Sequence, residues 1–117
     1  MHPNTRALVA VVAARLAANG GSVAAVYDYS RSRYIQVSGS ASFASVSLYD
    51  HERNCHFSGS GSSLYDHGRG CHVSLQVSGS NFSGYDYGDG HHFSGSVSAN
   101  GVSVYDFGES SSFNYSA

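Results

Sequence analysis

The chain has 117 residues, a formal net charge of −2 with neutral histidines, and six basic side chains, all of which are arginine. This length suits one domain with a modest core. The sequence has neither the basic patch of a nucleic-acid-binding protein nor the apolar run of about 20 residues that a membrane span needs. We therefore expect no nucleic-acid partner and no membrane span.

The first predicted element is an amphipathic helix within residues 1–21. Helix-forming residues fill positions 5–19, Asn4 or Thr5 is a suitable N-cap, and Asn19-Gly20-Gly21 ends the pattern. Leucines and valines form one face and alanines the other. We expect the helix to cover an open end or a face of the β region. A contact between subunits through the alanine face is the alternative. A secretory signal is not expected, because Arg15 interrupts the apolar run and no convincing cleavage site follows.

Residues 22–117 are predicted to form one domain of repeated β units. A Tyr-Asp pair recurs after 22, 16, 20 and 20 residues. The five pairs are Tyr27-Asp28, Tyr49-Asp50, Tyr65-Asp66, Tyr85-Asp86 and Tyr105-Asp106. Such a chain gains stability by stacking units that cannot bury their own apolar faces.

Each repeat contains a predicted β-hairpin turn. The distance from the tyrosine to the next apolar residue never changes, which indicates a turn of fixed geometry. We expect a three-residue loop whose last residue is left-handed, since Gly or Asn holds that place in three of the five repeats. Each tyrosine would then face the apolar residue eight positions later. Each central aspartate would face a histidine, in the pairs Asp50–His56, Asp66–His72 and Asp86–His92.

These elements predict a mainly β protein: an N-terminal α-helix followed by about five β-hairpin repeats that form an antiparallel sheet, barrel or sandwich. Ten strands would span about 48 Å, whereas a helix of fifteen residues is only about 22 Å long. The sheet is therefore expected to curl or to be buried against other subunits. The alternative is a β-solenoid with a helical N-terminal cap, in which stacked aspartates about 4.8 Å apart would repel one another.

Cysteine and histidine recur at two adjacent positions of the repeat, where zinc or a disulfide is conceivable. These residues are Cys55, Cys71 and His91 at the first position and His56, His72 and His92 at the second. Thiolates and imidazoles are zinc ligands, and a Cys55–Cys71 disulfide would need neighbouring turns. The spacing follows the repeat instead of a known ligand pattern, so we predict cross-strand packing and neither a metal nor a cofactor.

The sequence predicts that the protein is not an enzyme. About one residue in five is serine, so combinations of Ser, His and Asp carry little information. A nucleophile elbow, a phosphate-binding loop and an H-E-x-x-H motif are all missing from the sequence.

Two functional hypotheses follow. The last predicted strand, residues 111–116, has no downstream partner and no lysine or proline to protect its edge. The leading hypothesis is therefore a structural protein that forms a homo-oligomer or docks into a larger assembly. The alternative is a binding module that recognises a glycan or a protein at the hairpin tips. Its predicted surface comprises Tyr49, Asp50, His51, Tyr65, Asp66, His67, Tyr85, Asp86 and Tyr87. Arginine without lysine is typical of a bacterial source, and the sequence favours no compartment.

Overall fold

A computed structural model describes residues 1–116, which form one helix and ten antiparallel strands in a closed barrel. The predicted fold class is confirmed, with the barrel as the form that the sheet takes. The elements are α1 Pro3–Ala17, β1 Gly21–Asp28, β2 Arg33–Ala41, β3 Val46–Asp50, β4 Cys55–Gly59, β5 Ser63–Asp66, β6 Cys71–Ser78, β7 Asn81–Asp86, β8 His91–Ser98, β9 Gly101–Asp106 and β10 Ser111–Ser116.

Strands that follow one another along the chain are neighbours in the barrel, and the last strand returns to the first. Tyr27 pairs with Ser116 and Asp28 with Tyr115, which joins β1 to β10. The expectation of an unpaired edge at the final strand is wrong, because closure provides β10 with a partner on both sides. A closed barrel has no free edge to recruit another chain.

Helix α1 lies inside the barrel. Residues 7–13 have no exposed surface, and the helix contacts β1, β2, β6, β8 and β9, of which β1 and β6 lie on opposite sides of the barrel. The expectation of an amphipathic helix on an end or a face of the sheet is therefore wrong, since the alanine side is buried as well. The helix and residues 22–116 share a single core. Within residues 1–116, no helix combines the length and the apolar character that a membrane crossing requires.

The strand register differs by one residue from the prediction. Tyr49 lies opposite His56, and Leu48 lies opposite Phe57, because the loop between β3 and β4 has four residues instead of three. The predicted left-handed residue at the end of each loop is confirmed at Ser32, Asn54, Gly70, Gly90 and Ser110. A shift of one residue moves every side chain to the other face. The predicted Tyr–apolar pairs and the pairs Asp50–His56, Asp66–His72 and Asp86–His92 are therefore wrong.

This register gives the barrel a single apolar face. Val46, Leu48 and Asp50 all point into the lumen, while Tyr49 points outward. The returning strands alternate as predicted, with Val73 and Leu75 fully buried. The valines before the Tyr-Asp pair and the aliphatic residues after the loop consequently pack against the same helix.

Glycines facing the lumen make room for aromatic rings around the helix. A Cβ atom at Gly84 would lie 2.1 Å from the Ser74 carbonyl oxygen and 2.4 Å from Cζ of Phe93. At Gly95 the same atom would lie 2.5 Å from Cζ of Phe82. The phenylalanine rings thus occupy the space that a side chain would take, and they fill the lumen beside the helix.

Candidate functional site

A ring of five buried carboxylates lies at the end of the barrel that holds the N-terminus of α1. Its members are Asp28, Asp50, Asp66, Asp86 and Asp106, each at most 1% exposed. They come from the last residues of β1, β3, β5, β7 and β9 and point inward. Buried charges of this kind are tolerated only when they are paired and hydrogen-bonded.

One oxygen of each carboxylate holds the turn that follows it. Oδ1 accepts the backbone N–H of the residue two positions later, at 2.8–3.0 Å in all five repeats. This arrangement is the side-chain-supported turn that aspartate favours. The aspartate of the Tyr-Asp pair therefore recurs for a structural reason: it fixes the four-residue loop.

The second oxygen is available to the first turn of the helix. Asn4 Nδ2 donates to Asp50 at 3.1 Å, the Thr5 hydroxyl donates to Asp66, and Arg6 Nη1 donates to Asp106 at 3.0 Å. The partial positive charge of a helix N-terminus also favours nearby carboxylates. Neither Asn4 nor Thr5 caps the helix, since Nδ1 of His2 accepts the Asn4 N–H at 3.0 Å.

Arginines in the turns form ion pairs with four of the five carboxylates in the ring. Arg31 and Arg53 each place Nε 2.7 Å from the aspartate three residues earlier. Arg53 also reaches Asp66 in the next repeat at 3.2 Å, and Arg69 reaches Asp86 at 2.9 Å. Sequence analysis overlooked these ion pairs, although the arginines share one position of the aligned repeats.

The ring predicts a loss of stability in acid. Burial alone would raise the pKa of Asp28 and Asp50, but hydrogen bonds from Ser30, Arg31, Arg53 and Asn4 outweigh it and hold both pKa values below the usual range. This stabilisation is complete above the unfolded aspartate pKa of about 3.9 and disappears as pH falls through the lower folded values. We expect the free energy of unfolding, measured with urea, to change little from these carboxylates above pH 5 and to fall below about pH 4. A flat profile down to pH 2 would contradict the network.

The first cysteine and histidine position of the repeat packs against the following turn. Sγ of Cys55 lies beside Gly68, where a Cβ atom would be only 2.7 Å away, and Sγ of Cys71 lies equally close to Gly88. In the first repeat the same position is Arg33, which pairs with Glu52 at 2.6 Å. The residue in the following turn therefore matches this position: it is glycine where a cysteine thiol fills the space, and glutamate where an arginine forms an ion pair.

The candidate metal ligands do not converge. His91 packs against Gly108 in the same way as the cysteines pack against their glycines, while His56, His72 and His92 lie on the outer face opposite tyrosines. Both cysteines are free thiols, and burial raises the pKa of each. Among residues 1–116, no group of three or more His, Cys, Asp or Glu side chains is arranged to hold a metal ion.

The outer surface at the same end carries an aromatic girdle. Its members are Tyr27, Tyr29, Tyr34, Tyr49, His51, His56, Tyr65, His67, His72, Tyr85, Tyr87, His92, Tyr105 and Phe107. Within each repeat the rings meet edge to face, with centroids 4.7–5.0 Å apart. This is the favourable geometry for aromatic pairs.

The structure divides the predicted binding surface in two. The six aromatic members, Tyr49, His51, Tyr65, His67, Tyr85 and Tyr87, lie in the girdle. The three carboxylates, Asp50, Asp66 and Asp86, do not belong to any exterior surface, because they are buried in the lumen. Both outcomes follow from the one-residue register shift, because in the observed register the tyrosines point outward and the aspartates point into the lumen.

The girdle is interrupted by a groove beside Tyr87. In the two preceding repeats, His51 and His67 turn toward the neighbouring strand and contact the hydroxyls of Ser38 and Ser58, at 2.8 and 3.2 Å. The fourth repeat has Tyr87 at this position, 63% exposed. A groove of about 670 Å³ opens next to it, lined by side chains that include Ser74, Gln76, Ser83, Tyr85, Tyr87 and His92.

Comparison with known proteins gave no match to a family model, to a curated protein or to a solved structure. A functional proposal for this chain therefore depends on the chemistry of its own surfaces. The buried carboxylate ring is occupied by turn, helix and arginine contacts, whereas the girdle has unoccupied polar groups and exposed rings.

Proposed function

We propose that this protein is a non-enzymatic binding module whose ligand surface is the aromatic girdle. The observation that carries the proposal is the exposure of large rings at one end of a closed barrel: Tyr29, Tyr34, Tyr87 and Phe107 are each more than half exposed. Tyrosine combines a broad apolar face with a polar tip, and it is enriched where proteins contact ligands and partners.

The rings are held rigidly enough to act as a preformed surface. Tyr85, for example, contacts Tyr87 on one side and His92 on the other at 4.8 and 4.7 Å. The backbone N–H of Tyr87 also donates to the His72 carbonyl at 3.1 Å, which ties the turn to the preceding repeat. A surface ordered before binding loses less conformational entropy when the ligand arrives.

A second candidate is self-association through the same girdle. Edge pairing between chains no longer supports this hypothesis, because β1 and β10 close the barrel. Exposed aromatic rings around the barrel still form a surface that a second copy can cover. Under this proposal the girdle would be buried in a homo-oligomer or a larger assembly.

The test is to replace Tyr65, His67, Tyr85 and Tyr87 together by alanine. Retention of the protein on insoluble cellulose, chitin and starch measures binding, and light scattering up to high micromolar concentration measures mass. Binding by a monomer that is lost in the variant supports the binding module. A larger mass that becomes monomeric in the variant supports self-association.

Gln36→Ala is the control, because Gln36 is exposed on β2 and does not belong to the girdle. It should leave both retention and mass unchanged. A wild-type monomer that is retained on none of the three polysaccharides and binds no protein partner would contradict both candidates.

A further inference from the structure

We propose that the groove beside Tyr87 binds an uncharged oligosaccharide. This inference depends on the proposed function and assigns a ligand class to one part of the girdle.

The size of the groove fits a small extended ligand better than a protein. Its volume of about 670 Å³ lies within the range of small-molecule sites. Three smaller depressions of about 350, 420 and 440 Å³ adjoin it. The first shares Tyr87 with the groove, the second shares His92 and the third shares Gln76. The first two run in series with the groove across β5 to β8. Such a series accommodates several sugar units.

The lining combines aromatic rings with unoccupied hydrogen-bonding groups. Within residues 1–116, the side chains of Gln76, Ser83, Tyr87 and His92 have no hydrogen-bond partner in the protein. The Ser74 hydroxyl accepts the Tyr85 N–H at 3.0 Å and retains its own proton for donation. The apolar faces of a sugar ring can pack on Tyr85 and Tyr87 while its hydroxyls bond to the amide and the serines.

The charge of the groove selects against ionic ligands. Neither the groove nor any of the three depressions beside it is lined by an aspartate, a glutamate or an arginine. Among the acidic side chains of the nearest repeats, Asp66 and Asp86 are buried in the lumen and paired with Arg53 and Arg69, and Asp89 in the turn after Tyr87 is paired with Arg69. An acidic glycan or a phosphate would find the imidazoles of His72, His91 and His92 here but no permanently charged arginine, so an uncharged sugar chain is the ligand that the lining satisfies best.

The test uses cellohexaose, chitohexaose and maltohexaose as probes, with an oligogalacturonate as the acidic comparator. Amide chemical shifts are followed by NMR during each titration. We expect at least one uncharged probe to bind and to shift the amides of Ser74, Ser83 and Tyr85. The corresponding disaccharide should bind more weakly, because it cannot fill the adjoining depressions.

Tyr87→Ala should weaken binding by about ten-fold or more, equivalent to about 1.4 kcal/mol. Tyr87→Phe keeps the ring and should weaken it less. Tyr34→Ala tests a remote part of the girdle and should weaken binding less than Tyr87→Ala does: Tyr34 is 61% exposed and meets Tyr27 edge to face at 4.8 Å, but it lies on β2, five strands from β7 in either direction. Gln36→Ala is the control, because Gln36 is exposed on the same strand and does not belong to the girdle. It should leave the dissociation constant unchanged.

Three results would overturn the inference. Binding of an uncharged probe that Tyr34→Ala weakens and Tyr87→Ala does not would place the ligand elsewhere on the girdle. Binding of the acidic probe alone, or of a protein alone, would refute the ligand class and leave the proposed function intact. No binding of any probe or partner by a monomeric protein would remove both.

Discussion

Asp50→Ala is expected to reduce the free energy of unfolding by about 3–5 kcal/mol, the cost of removing one member of a buried ion pair. The carboxylate accepts hydrogen bonds from Arg53 Nε at 2.7 Å, Asn4 Nδ2 at 3.1 Å and the Glu52 backbone at 2.9 Å. Alanine removes all three, so that the substitution breaks a turn, a helix contact and a charge pair together. Urea unfolding monitored by circular dichroism measures the loss.

Two further variants separate the contributions. Asp50→Asn keeps an oxygen for the turn but removes the charge opposite Arg53, and we expect a smaller loss than with alanine. Glu109→Gln removes an exposed carboxylate at the loop position that Arg53 occupies in its own repeat, and it should change stability by no more than about 0.5 kcal/mol. An Asp50→Ala protein as stable as the wild type would show that Asp50 is solvated.

Ala10→Glu is expected to prevent folding. Ala10 has no exposed surface, and it lies on the alanine face of α1, opposite the leucines and valines. A carboxylate there would be buried without a partner, which costs several kcal/mol, and the added atoms would overpack the lumen by about 1–3 kcal/mol more. Together these costs are comparable with the total stability of a small domain, about 5–15 kcal/mol. Loss of the cooperative thermal transition is the readout.

Ala17→Glu provides the matched control, because Ala17 is the last residue of the same helix and is exposed. The substitution is chemically identical and should lower the melting temperature only slightly, through the unfavourable charge at a helix C-terminus. Equal tolerance of both substitutions would mean that the alanine side of the helix faces solvent.

The repeat was predictable because its signals are local. The Tyr-Asp period, the fixed spacing inside each unit and the left-handed loop ends at Asn54, Gly70 and Gly90 all appear in the sequence, and they lead to antiparallel hairpins. The register was missed because three-residue and four-residue loops end on the same left-handed residue. Val46 and Leu48, which alternate with Tyr49, carried the information that the tyrosine faces outward.

The position of the helix was harder to predict. Alanine side chains are compatible with a surface, a subunit contact or a narrow lumen, and only the closed barrel distinguishes these cases. Six of the fourteen girdle residues were predicted from the sequence, because aromatic residues beside a turn can be recognised there. The groove beside Tyr87 could not be predicted from the sequence. It depends on the direction in which the side chain at this repeat position turns: His51 and His67 turn toward the neighbouring strand, whereas Tyr87 stays exposed.

The central claim is that α1 occupies the lumen of a closed barrel. It is tested most directly by nuclear Overhauser contacts from the methyl groups of the helix, including Ala10 and Leu8. The structure predicts contacts from this one helix to β1, β2, β6, β8 and β9, and of these strands β1 and β6 lie on opposite sides of the barrel. Contacts confined to a few adjacent strands would place the helix outside and contradict the structure described above.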